Sequence, residues 1–334
     1  MKTKPLAAID IGTNTFRLII ADVAFNPDNN SYSIKELFSD RIITRLGEGM
    51  PHNRSLKEEA IIRGINALKR FRDALSHHNV YKTSAVATSA LREAENRDEF
   101  LRKAKETAGL DIRIISGEEE AMKTASGMLI DMAIPETALM VDIGGGSTEL
   151  IFAKKGRPQL VRSIDLGVVY LAGKYMKHDP PLKEDLIEMG KCISEAIGSI
   201  AKPFFKLKTQ YGRVSNPPLH NSKLQTLFIG TAGTITTLSA VKQGLIKFEH
   251  DKIHNSRMTR ESVENLFSDI TAVSSLERSR LIPFEPSRLD IIVPGTLILL
   301  KLMEVFDFRE ITVSDYGLRE GILIELYNEN KNLD

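Results

Sequence analysis

A chain of 334 residues is long for one hydrophobic core and suits two domains. With 42% hydrophobic and 27% charged residues it has an ordinary globular composition, and a formal net charge of +1 excludes any global pull on a polyanion. The single cysteine, Cys192, excludes an internal disulfide framework, and the absence of a signal-peptide pattern or an apolar run of about 20 residues predicts a cytoplasmic protein without a membrane partner. In chain order, residues 6–23 predict a strand, a turn and a second strand, and residues 32–38 a third. Ser55 and Glu58 have capping-box spacing, opening a helix with the apolar stripe Ile61, Ile65, Leu68, Phe71 and Leu75. His77 and His78 at its end predict a solvated cap. A short strand over 84–87 leads to Arg92, at a strand-to-helix junction of the kind that faces ligand crevices. Its planar fork matches phosphate oxygens, and a surface ion pair is the alternative reading.

Residues 96–108 predict a charged helix stopped by Gly109, and residues 111–115 a strand. Ser116 and Glu119 make another capping-box pattern, so the run Glu118-Glu119-Glu120 is explicable as a helix start. Successive helical residues point about 100° apart, so at most two of the three glutamates face one side. A helix over 121–130, a strand over 159–164 and a helix over 183–200 follow. Lys202, Lys206, Lys208, Arg213, His220 and Lys223 surround a polar loop at 209–223, either steering a polyanion or forming a solvated basic face. His250 and His254 are four apart, but Asp251 stands where a metalloprotease has glutamate, and no third ligand follows at a standard spacing. Helices at 259–272 and 287–305, the latter broken at Pro294-Gly295, precede a strand at 310–314 and a helix at 317–328.

The chemistry concentrates in three glycine turns. Apolar runs at 138–141 and 150–153 flank Asp142-Ile143-Gly144-Gly145-Gly146-Ser147-Thr148-Glu149, which predicts a β-hairpin. Consecutive glycines let the backbone bend past ordinary sterics and bring its N–H groups close to a ligand, as in an anion nest. An aspartate at the entrance of such a nest implies a bridging cation, and magnesium is the usual companion of phosphate oxygens. Residues 8–19 repeat the pattern. Aligned without gaps at an offset of 142 − 10 = 132, Asp10 meets Asp142, Gly12 meets Gly144, Thr15 meets Ser147, Leu18 meets Leu150 and Ile19 meets Ile151. That offset is too long for a solenoid and suits a duplicated domain. A third turn, Gly230-Thr231-Ala232-Gly233-Thr234, follows the apolar run 227–229.

These turns resemble those of the superfamily of actin, sugar kinases and heat-shock ATPases. Within it, the segments 10–15, 88–92, 116–121, 142–149, 230–234, 293–295 and 314–321 are similar, in order, to those of the exopolyphosphatase / guanosine pentaphosphate phosphohydrolase family in its short two-domain form. The resemblance implies an α/β fold of two similar ribonuclease H-like, actin-like domains, at 1–125 and 126–334, with the active site in the cleft between them and the terminal helix, about 317–330, packing back on the first. It implies hydrolysis of the terminal phosphoanhydride of inorganic polyphosphate or, alternatively, of guanosine pentaphosphate, by a homodimer without nucleic-acid partners. By the family's register, Glu120 resembles the catalytic glutamate and Glu119 the capping one. Thr13, Asn14, Thr15, Arg92, Gly144, Gly145, Gly146, Ser147, Thr148, Gly230, Thr231, Gly233 and Thr234 would hold phosphates. Asp10, Asp142 and Glu149 would hold magnesium or manganese. A small-metabolite kinase and a non-catalytic alarmone-binding regulator are the rival readings. The joint presence of Glu120, Asp10 and Asp142 argues for catalysis.

Overall fold

The structure is a computed structural model and describes residues 4–26, 31–50, 54–132, 135–211 and 226–331. The chain forms two compact units, residues 1–132 with 316–334, and residues 133–315. In the first, β1 (Leu6–Ile11), β2 (Thr15–Asn26) and β3 (Ser31–Ile43) form an antiparallel meander, and β4 (Lys82–Ala87) and β5 (Ile112–Ile114) add in parallel beyond β1, giving the order β3-β2-β1-β4-β5. Helices α1 (Glu58–His77), α2 (Ser89–Glu93), α3 (Arg97–Ala108) and α4 (Gly117–Met128) complete its N-terminal part. The apolar stripe of α1 packs with Phe100 of α3 on the sheet face made by Ala7, Ile9 and Ile11. That alternation along β1 is the period of two expected of a strand, and it leaves Leu6, Ala8 and Asp10 on the other face.

The second unit repeats the plan. The strands β6 (Thr137–Ile143), β7 (Thr148–Lys154) and β8 (Arg157–Ile164) form the meander. Helices α5 (Val168–Tyr175) and α6 (Lys183–Tyr211) follow, then β9 (Leu227–Thr231), α7 (Ala232–Lys242), the single turn α8 (His250–Ile253), β10 (Arg257–Thr259), α9 (Arg260–Thr271), α10 (Ser275–Leu281), α11 (Ile292–Val305) and β11 (Glu310–Val313). Parallel pairing of β6 with β9 and of β9 with β11 gives the order β10-β11-β9-β6-β7-β8, the first sheet's arrangement with one antiparallel edge strand added. Each unit is therefore a ribonuclease H-like α/β domain. Leu139, Val141 and Ile143 of β6 pack with Met189, Ile193 and Ile197 of α6 and with Leu299 and Leu302 of α11. The last helix, α12 (Leu318–Lys331), belongs to the first unit and buries Ile322, Leu323 and Leu326 against Leu6, Ala8 and Ile19.

Several local expectations fail for identifiable reasons. No side chain caps α1, whose N-cap is Lys57 and not Ser55, and Asn96 takes up both backbone groups of the neighbouring Leu56, at 2.8 and 3.0 Å. At α4 only half of the capping box forms. Ser116 Oγ accepts from the Glu119 amide at 3.1 Å, while the Glu119 carboxylate pairs with Arg113 and Lys123. Pro294 breaks nothing, since α11 begins at Ile292 and its first turn needs no N–H from Pro294. Helix α6 runs to Tyr211 with Pro203 inside it, well past the expected end at residue 200. His78 packs its ring on Phe38, with centroids 5.0 Å apart. His250 and His254 bind the segment after β11: His250 Nδ1 lies 2.7 Å from Asp315 Oδ2, and His254 Nδ1 accepts from the Asp315 amide at 3.3 Å. Lys208 turns inward to the Phe306 carbonyl and the Phe308 ring, and burial holds its ammonium below the usual lysine range. Arg213, His220 and Lys223 lie outside the described residues.

Candidate active site

In the first unit the candidate residues sit where parallel strands end, which is where open α/β sheets place their ligands. The turn 12–15 follows β1, Arg92 follows β4 and Glu120 follows β5. Backbone bonds tie these ends together, from the Thr88 amide to the Ile11 carbonyl at 3.3 Å and from the Ile115 amide to the Ala87 carbonyl at 3.0 Å. Arg92 Nη1 donates to the Ile115 carbonyl at 3.1 Å and lies 3.2 Å from Glu120 Oε2. Glu120 is buried, whereas Glu119 points into the ion-pair cluster of Arg113, Lys123 and Glu325. That cluster joins α4 to α12, and the two helices touch backbone to backbone. A Cβ at Gly321 would fall 1.9 Å from the Lys123 carbonyl oxygen, and one at Gly127 would fall 1.9 Å from that of Gly317.

The two hairpin turns are built alike. The Gly12 amide donates to the Thr15 carbonyl at 3.2 Å, and the Gly144 amide to the Ser147 carbonyl at 2.9 Å. A Cβ on either glycine would stand 2.9 Å from that carbonyl oxygen, and neither glycine has positive φ, so closeness rather than left-handed backbone is what excludes a side chain here. The carbonyls at each tip are taken up by the segment that follows. Thr13 and Asn14 accept from Gly47, Thr44 and Arg45 at 2.9 to 3.1 Å, and Gly144 and Gly145 accept from Val168 and Val169 at 3.1 and 2.9 Å. The amides of Thr13, Asn14, Gly145 and Gly146 meet no acceptor among the described residues. Each turn thus has its acceptors consumed and its donors available, as an anion nest requires.

The charges behind the turns differ. Asp10 pairs across the hairpin with Arg17, and Asp142 with Glu149. Burial raises the Asp10 pKa above the usual carboxylate range, Arg17 and Arg319 oppose that shift, and Glu320 adds to it. Glu320 accepts from the Gly317 amide at 2.8 Å and pairs with Arg319 at 3.2 Å, so the start of α12 supplies charge to the first turn. In the second hairpin two carboxylates stand opposite each other, and directly opposed like charges on a sheet are destabilising. Glu149 is 1% exposed and accepts from Ser163 Oγ at 2.8 Å. This hard-oxygen pair suits a divalent cation. No cluster of three or more Asp, Glu, His or Cys side chains able to hold a metal occurs among the described residues, so the remaining ligands would be phosphate oxygens and water.

The third turn is a strand-to-helix junction. Thr231 ends β9, Ala232 adopts φ of +74°, and α7 begins. Gly233 lies under the buried guanidinium of Arg288, where a Cβ would fall 1.6 Å from Nη2, and Gly295 of α11 presses on Thr234. Arg17, Arg288 and Arg319 were not among the residues singled out in the sequence. Arg17 carried a signal, since the 132-residue offset that aligns the aspartates sets it against Glu149, and Arg319 lies inside the segment 314–321, whereas nothing marked Arg288.

Comparison with known proteins decides the family. The model of the Ppx/GppA phosphatase family matches residues 25–330. The chain belongs to that family. A structure of the Aquifex aeolicus Ppx-GppA enzyme superposes with a TM-score of 0.75 at 30% identity, covering 96% of this chain and 99% of that one. Exopolyphosphatase 2 of Mycobacterium tuberculosis is 28% identical over 333 residues, 96% of this chain and 98% of that protein. The bifunctional 3-dehydroquinate synthase/phosphatase of Fusobacterium nucleatum is 29% identical over 326 residues, and the chain spans 46% of its length. Among the described residues of this Ppx/GppA member, no helix is long and apolar enough to cross a membrane.

Proposed function

We propose that the chain hydrolyses the terminal phosphoanhydride of inorganic polyphosphate and releases orthophosphate. The observation that carries the reading is Glu120, a buried carboxylate held beside Arg92 at the end of β5, in the same unit as a turn whose amides lack acceptors. Phosphoryl transfer asks a protein mainly for positioning and charge. The amides of the two hairpin turns, with the hydroxyls of Thr13, Thr15 and Ser147, bind phosphate oxygens, and Gly230, Thr231, Gly233 and Thr234 extend that set; Thr148, expected there from the sequence, instead spends its one hydroxyl hydrogen on the Leu166 carbonyl at 2.6 Å. Arg92 adds a planar cation. Glu120 orients the attacking water and accepts its proton. Asp142 and Glu149 would hold a divalent cation, magnesium or manganese. Asp10, already facing two arginines, has the smaller part in holding it. Such a cation, when bound, neutralises charge that builds on the phosphate oxygens. Guanosine pentaphosphate presents the same terminal anhydride and is the alternative substrate. We further propose a cytoplasmic homodimer.

The test is phosphate release from polyphosphates of several lengths, guanosine pentaphosphate and ATP, by the wild type, Glu120→Gln and Glu119→Gln. Loss of a general base costs about 10²–10⁴ in rate, so Glu120→Gln is expected to fall by that factor with unchanged thermal melting. Glu119→Gln is expected to lose ion pairs, with little change in turnover. A Glu120→Gln enzyme within tenfold of wild type beside a crippled Glu119→Gln would move the base to Glu119. Phosphorylation of a small metabolite by ATP would favour the kinase reading.

A further inference from the structure

Arg92 is tied to the protein through one nitrogen. Nη1 contacts both the Ile115 carbonyl and Glu120, at 3.1 and 3.2 Å, while Nε and Nη2 have no hydrogen-bond partner among the described residues. These two nitrogens form one edge of the guanidinium plane, the edge that grips phosphate in a bidentate manner. The side chain keeps 23% of its surface exposed, against 10% for Glu120. The edge facing away from the carboxylate is therefore the one left for a ligand. The backbone on both sides is fixed. The Arg92 amide donates to the Thr88 carbonyl at 3.0 Å, and that of Glu120 to the Ser116 carbonyl at 2.9 Å. Helix α4 is pressed onto α12 at Gly127 and Gly321. Both side chains thus project from hydrogen-bonded helical turns.

We propose that Arg92 is a bridge that sets the position of the base relative to the phosphate. Its Nε–Nη2 edge takes the terminal phosphate while Nη1 holds Glu120, so one rigid plane fixes where the carboxylate stands. This rests on the reading of Glu120 as the base. In the step so arranged, a water oxygen bonds to the terminal phosphorus and its proton passes to Glu120. The anhydride P–O bond breaks, its electron pair leaving with the shortened chain. Arg92 exchanges no proton. Lysine keeps the charge but has a single nitrogen, which cannot hold carboxylate and phosphate at fixed separation.

The experiment is a double-mutant cycle on steady-state phosphate release from a medium-length polyphosphate, using Arg92→Ala, Arg92→Lys, Glu120→Gln and Arg92→Ala with Glu120→Gln. Arg92→Ala is expected to raise KM and to lower kcat, each by about tenfold or more. Arg92→Lys restores most of KM and little of kcat. In the Glu120→Gln background the kcat penalty of Arg92→Ala shrinks to within about threefold while the KM penalty persists, the non-additivity of residues that act as a unit. An equal kcat penalty in both backgrounds, with Glu120→Gln itself crippled, overturns the bridge and leaves the base in place. Full recovery of kcat by Arg92→Lys also overturns the bridge, and this variant keeps the test open if Arg92→Ala melts early. A Glu120→Gln enzyme within tenfold of wild type overturns the base assignment and the bridge with it.

Discussion

The two hairpins share a backbone and differ in one charge. Gly12 and Gly144 close their turns with the same bond, and the carbonyls at both tips are capped by the following segment. Opposite the entrance aspartate, however, stands Arg17 in one and Glu149 in the other. The first hairpin carries its countercharge on a fixed side chain, reinforced by Arg319. The second sets two carboxylates opposite each other, a pair of hard oxygen ligands suited to a divalent cation. The turn backbone is the same in both hairpins, and the difference lies at this cross-strand position.

That difference can be tested most directly at the differing pair. Asp142→Asn and Glu149→Gln are each expected to raise the magnesium needed for half-maximal activity and to lower turnover by about 10²-fold, since metal stabilisation of transition-state charge is worth several kcal/mol. Arg17→Gln is expected to raise KM and leave the magnesium titration unmoved. A shifted titration in Arg17→Gln, or an unshifted one in Glu149→Gln, would end the distinction. A smaller effect tests the capping segments. At Gly167 an added Cβ would lie 2.2 to 2.4 Å from the backbone of Gly145 and Gly146, whereas at Gly47 the nearest atom, at 2.4 Å, is the methyl of Thr13. A side chain can give way and a backbone turn cannot. Gly167→Ala is expected to lose about 3 kcal/mol of stability with the second turn's function, and Gly47→Ala about 1 kcal/mol, measured by denaturant unfolding. The least effect belongs to Lys208. Burial lowers its folded pKa, so the unfolded chain binds the proton more firmly, and stability rises with pH from the lowered folded value up to about 10.4. Lys208→Met is expected to flatten that rise and to leave KM for long polyphosphate unchanged.

Much of this was legible because it is local. Glycine turns between apolar runs marked both hairpins and, through the offset, the duplication. The stripe of α1 and the αL stop at Gly109 were equally plain, the latter at φ of +68°. What escaped is tertiary. Helix α1 takes Lys57 rather than Ser55 as its N-cap, Asn96 binds the backbone of Leu56 from 40 residues away, and Arg113 draws off Glu119. Arg288 reaches Gly233 across 55 residues, with no motif around it to announce a role. The meaning of the motif ending in Gly317 and Gly321 was also hidden, because those glycines exist for the approach of α4. Glu120 itself was assigned from family register. Nothing in a run of three glutamates says which one β5 and Arg92 will turn inward.

The placement of α12 bears on how the chain comes into being. The second unit is continuous, residues 133–315, and has everything it needs once it has left the ribosome. The first does not. Its sheet presents Leu6, Ala8 and Ile19 to a helix that follows the second unit in the chain, so this face stays uncovered while that unit is made. Closing such a loop costs entropy that grows only with the logarithm of its length. The first turn, whose Asp10 feels the charges of Arg319 and Glu320 on α12, gains that environment only after the second unit has been made.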